Sequence, residues 1–176
     1  MNLSSKFLIL SGLLLLLFGA YLVFQRYSPK TLEFKDLKTT QALNSNITPI
    51  RIIIPSVNID NGVYKAKISI GQWETTDKGI SYLVSSPVPG EKGNSILYGH
   101  NWESLLGKLT GVKPGEKIDI VMSNGEKKVF TVQFTSIVDP NETHILSQTK
   151  DNRITIYTCT GFLDSKRFVA VATLGN

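Results

Sequence analysis

Cys159, His100 and Arg167 are the side chains of this 176-residue chain whose types could share covalent chemistry. A cysteine attacks as its thiolate. With ordinary pKa values near 8.5 for cysteine and 6.5 for histidine, an isolated pair would hold about 1% of the thiolate–imidazolium form relative to the neutral one. Coupling between the partners and a neighbouring cation both raise that fraction. The imidazolium could then protonate a leaving amine as general acid. An arginine cannot serve as a base, but it can donate to an oxyanion and hold substrate carbonyls. The competing reading of Cys159 is a small buried hydrophobe, and as the single cysteine of the chain it cannot form an intramolecular disulfide.

The surrounding sequence must bring these groups together. Ile154–Tyr157 is β-branched and aromatic and reads as a strand running into Thr158 and Cys159, which Thr160-Gly161 breaks. Arg167–Ala172 reads as the next strand, so a hairpin would bring Arg167 close to Cys159 across the pair. His100 follows the strand pattern Ser95–Tyr98 through Gly99 and opens a loop with Asn101 and Trp102. The other histidine, His144, follows Asp139-Pro140-Asn141-Glu142-Thr143 and reads as a turn residue at the surface.

Further strands are expected at Arg51–Ile54, closed by Pro55, at Lys117–Met122 and at Lys128–Phe134. Asn124-Gly125 suits a type I′ turn between the last two. Trp102, Leu105, Leu106 and Leu109 fall at helical spacing, so a short helix is expected over Trp102–Leu109. Short strands at this spacing predict an all-β antiparallel barrel or sandwich.

Phe7–Phe24 is an uncharged apolar run of 18 residues, which as a helix rises about 27 Å, enough to cross a bilayer. It is longer than the apolar part of a cleavable signal and no Ala-x-Ala site follows it, so an uncleaved anchor is expected. The expected organisation is a cytoplasmic end at 1–6, an anchor at 7–24, a tether at 25–49 and a catalytic domain at 50–176. Charge around the anchor points the other way. Arg26, Lys30, Lys35 and Lys38 follow it and only Lys6 precedes it, which by the positive-inside rule would keep the large domain in the cytoplasm. The net charge of +5 is spread out. Residues 50–176 carry 14 Lys and Arg against 12 Asp and Glu, with no basic stripe among aromatics, which argues against a nucleic-acid partner.

Four windows in order resemble the sortases, membrane-anchored cysteine transpeptidases. They are Ile54-Pro55-Ser56-Val57-Asn58-Ile59-Asp60; Tyr98-Gly99-His100-Asn101; Val138-Asp139-Pro140-Asn141-Glu142-Thr143-His144-Ile145-Leu146; and Ile154-Thr155-Ile156-Tyr157-Thr158-Cys159-Thr160 with the arginine strand after it. The last is similar to the family's Thr-Leu-x-Thr-Cys motif, with Ile156 and Tyr157 departing from it. The resemblance implies a closed eight-stranded barrel with one or two short helices. It nominates His100, Cys159 and Arg167 as catalytic, with Thr158 and Asn101 supporting them; no cluster convincing as a calcium site stands in the sequence, so no metal site and no cofactor are carried over.

It also implies an extracellular domain on a single-pass anchor. The partners would be secreted proteins bearing a Leu-Pro-x-Thr-Gly-like sorting signal and an amine acceptor of the cell wall or a pilin. The short loop from Cys159 to Arg167, and the lack of an aspartate followed by a bulky aromatic before His100, match neither the housekeeping nor the lid-bearing pilin type. The alternatives are a hydrolytic cysteine peptidase and a membrane-tethered β-barrel binding module with an inert thiol.

Overall fold

A computed structural model describes residues 3–26, 32–34, 46–69 and 72–175. Most of the expected tether, with Lys30, Lys35 and Lys38, lies outside these residues. The N-terminal helix α1 spans Leu3–Arg26, and its Lys6–Phe24 stretch of 19 residues has mean hydropathy 2.6, long and apolar enough to cross a membrane.

Ten strands follow: β1 Pro49–Ile54, β2 Ile59–Ala66, β3 Ile68–Ser69, β4 Gln72–Trp73, β5 Ile80–Leu83, β6 Gly93–Tyr98, β7 Lys117–Met122, β8 Lys127–Val138, β9 Asn152–Thr160 and β10 Lys166–Leu174. Eight close into a barrel in the order β1-β2-β5-β6-β9-β10-β8-β7, and β3 and β4 form a separate small hairpin. The expected eight-stranded closed barrel is therefore present. Six of its seams are antiparallel, whereas β2–β5 and β6–β9 run parallel. A parallel seam needs a long crossover. Between β6 and β9 that crossover contains β7 and β8 themselves, a non-local arrangement that strand-by-strand reading does not reach.

Alternation along the strands makes two apolar layers. The barrel interior is filled by Ile52, Ile54, Ile118, Ile120, Phe130, Ile154, Ile156, Ala170 and their neighbours. The outer face of β6, β9 and β10 carries a second cluster, including Tyr98, Tyr157, Cys159, Val169 and Val171, under the β3–β4 hairpin and Leu32 and Phe34. Both faces of these strands are buried, so β9 reads as an almost unbroken buried run.

Two local expectations are corrected. The Asn124-Gly125 turn is not type I′, which needs positive φ at both residues. Gly125 alone takes it, at φ +85°, and Gly125 N–H donates to Met122 O while Met122 N–H donates to Glu126 O. The loop is thus the three-residue kind that ends in a left-handed glycine.

Nor is there an α-helix over Trp102–Leu109. Turns lead instead into a 3₁₀-helix at Gly107–Gly111. The chain doubles back so tightly that a Cβ on Gly107 would lie 2.6 Å from Asn101 O. Leu105, Leu106 and Leu109 are still buried as their spacing demands, and Trp102, partly buried against the same core, also stacks on His100.

The stretch after β8 folds as a 3₁₀-helix at Thr143–Leu146. Asn94 Nδ2 donates to Ile145 O and Ser147 O, and Asn94 Oδ1 accepts from Thr155 Oγ1, which ties this connection to β6 and β9. His144 lies on it, exposed.

Candidate active site

The parallel β6–β9 seam places His100. Tyr98 pairs with Tyr157, and their rings stack at 5.4 Å on the outer face. One residue on, Gly99 N–H donates to Tyr157 O and Thr158 Oγ1 donates to Gly99 O at 2.8 Å, carrying the register forward. His100 and Cys159 are each two residues beyond the stacked tyrosines, so this register, carried on through Gly99, brings the His100 loop alongside the end of β9.

On the other side of Cys159, the β9–β10 register sets Arg167 directly opposite it. The loop after β6 and the paired strands β9 and β10 thus bring His100, Cys159 and Arg167 to one end of the seam. Thr158 points to the other face and anchors the His100 loop. Asn101 Nδ2 donates to Asp164 Oδ1 in the β9–β10 connection at 2.7 Å.

All three side chains are nearly closed off from solvent: His100 is 6% exposed, Cys159 3% and Arg167 3%. Burial pushes the His100 pKa below its ordinary value, while the carboxylates of Asp164 and Asp77 act in the opposite direction. The imidazole is stacked on Trp102 at 4.5 Å. Below the site, burial raises the Tyr98 and Tyr157 phenols, so both stay neutral at physiological pH and form an aromatic floor, not a base. Trp73 of β4 closes one side of that floor, edge-on to Tyr98 at 5.0 Å.

Arg167 Nη1 donates to Asp164 O and Lys166 O, and Nη2 donates to Glu33 O at 2.9 Å. Its Nε, like Tyr157 Oη, is buried without a hydrogen-bond partner among the described residues. Each such group costs about 1–3 kcal/mol, so the site holds open donors beside the thiol.

Neighbouring Leu32 and Phe34 are 0% and 3% exposed, and the Phe34 ring meets Tyr157 edge-on at 4.9 Å. Their burial contributes about 1.5–3 kcal/mol each, beside the bond that Glu33 O accepts from Arg167.

Sequence reading missed this covering segment, the tyrosine floor, Trp73 and Asp164. The floor carried a signal, because Tyr98 and Tyr157 each stand two residues before a site residue on a strand. Leu32 and Phe34 also alternate as a half-buried strand would, but two residues are too short a pattern to read within a polar stretch.

The sortase domain profile matches residues 52–175. The chain belongs to the sortase family. It is 35% identical over 127 residues to sortase A of Listeria monocytogenes, covering 70% of this chain and 54% of that one. It is 30% identical over 128 residues to sortase A of Bacillus anthracis, covering 70% and 58%. The chain therefore matches little more than half the length of these relatives. The crystal structure of the Listeria sortase A aligns with TM-score 0.59 at 33% identity, over 73% of this sortase and 88% of that chain.

Proposed function

We propose that this sortase is a transpeptidase that cuts a sorting signal near the C-terminus of secreted proteins and joins the new carboxyl end to an amine. The pairing of Cys159 with Arg167 across β9 and β10, with the His100 loop bonded to Thr158, is the observation that carries the reading. The Cys159 thiolate attacks the carbonyl carbon of the scissile peptide bond. Arg167 donates to the tetrahedral oxyanion. The C–N bond then breaks, and His100 gives its proton to the departing amine, leaving a thioester on Cys159. An acceptor amine attacks the thioester, His100 takes the proton back, and the thiolate leaves.

Cys159, His100 and Arg167 are the catalytic residues in this reading, and Thr158 and Asn101 support them. The donor signal is of the Leu-Pro-x-Thr-Gly kind, and the acceptor is an amine of the cell wall or of a pilin subunit. Helix α1 anchors the protein as a single pass with the barrel outside, where exported donors are. Residues 1–6 then lie inside, 25–49 act as the tether and 50–176 as the catalytic domain.

The test is to incubate the chain in detergent micelles with donor peptides and a panel of amines and to weigh the products. Ligation to an amine that rises with its concentration at the expense of hydrolysis is expected. Hydrolysis alone, unaffected by every amine, identifies a peptidase instead. No cleavage of any donor overturns the enzyme reading.

A further inference from the structure

We propose that Asp164 is a positioning residue that ties the His100 loop and the Arg167 side chain to one point of the β9–β10 connection, on either side of Cys159. This rests on the catalytic reading above. Asp164 makes both links: its Oδ1 accepts from Asn101 Nδ2 at 2.7 Å, and its backbone carbonyl accepts from Arg167 Nη1 at 3.0 Å. The Asn101 link holds the residue next to His100, while the Arg167 link orients the guanidinium opposite the thiol.

The connection adopts an uncommon backbone to do this. Leu163 at φ +50° and Asp164 at φ +59° are consecutive left-handed residues with side chains, in a five-residue link where glycine would be easier. Such strain persists only where surrounding contacts over-determine it. Here those contacts are the two links themselves. The carboxylate also favours the charged form of His100 against burial, so the same residue supplies geometry and charge.

Asp164→Asn keeps an acceptor for Asn101 and tolerates the left-handed backbone, but removes the charge. Asp164→Ala removes both. In D164A, kcat for ligation is expected to fall about tenfold or more with KM changed less, because a small misplacement of reacting groups is costly. In D164N the kcat loss stays below about threefold, since the bond to Asn101 survives.

The rate at which a small methanethiosulfonate reagent labels Cys159 is read against pH alongside, and it needs no turnover. Both variants should label about threefold more slowly near neutrality, because a less basic His100 supports less thiolate. Labelling that follows the unaltered chain in both variants overturns the electrostatic role. Equal kcat losses in D164A and D164N overturn the positioning role. A labelling shift in a chain that ligates nothing upholds Asp164 and overturns the function instead.

Discussion

Cys159→Ala is expected to abolish ligation, lowering kcat by ~10⁴-fold or more. The covalent route splits one difficult acyl transfer into two easier ones, and no other thiol in the chain can take it over. The change is small in volume and removes only the sulfur from a position that is 3% exposed. Fold and donor affinity should therefore survive. Circular dichroism and peptide binding check that the loss lies in chemistry. A variant that still ligates at more than about a hundredth of the normal rate would remove Cys159 from the mechanism.

His100→Ala is expected to cost about 10²–10⁴-fold in kcat, the range of a lost general acid or base. The sign of its pH dependence follows from the site. Burial lowers the His100 pKa and so disfavours the imidazolium, while Asp164 and Asp77 favour it, and coupling to a thiolate favours it further. Without His100, Cys159 has lost its proton acceptor and its imidazolium partner. The thiolate then forms only as the pH approaches the ordinary cysteine value or higher. Labelling of Cys159 in H100A should therefore be slow at pH 7 and recover as pH rises above about 8.5. The unaltered chain should label readily at lower pH. Superimposable labelling profiles for the two chains would mean that His100 does not govern the thiol.

Much of this site was readable in the sequence, and the reason is local. Cys159 and Arg167 belong to one hairpin, where a strand, a breaker and a second strand are all short-range signals, and their pairing follows from the spacing. His100 is different. Its approach to Cys159 depends on a parallel seam between β6 and β9 that skips over β7 and β8. No spacing along the chain announces that seam, and only the resemblance to a family tied the histidine to the cysteine.

The shortfalls have the same origin. A helical apolar pattern at Trp102–Leu109 was real, but the tight return at Gly107 and the stacking of Trp102 on His100 overrode it. Asp164 reads as an ordinary loop acid until its two bonds are seen. Leu32 and Phe34 read as scattered apolar residues in a tether, because the surface they cover is assembled from β6, β9, β10 and the β3–β4 hairpin, all distant in the chain.

The central claim is that the acyl group travels on the sulfur of Cys159. Rapid acid quenching of the chain with a donor peptide and no amine, followed by intact mass and peptide mapping, tests it most directly. The expected result is an adduct of the donor's N-terminal fragment on Cys159 that hydroxylamine releases. Absence of any adduct while product accumulates, or an adduct on another residue that persists in Cys159→Ala, would contradict it.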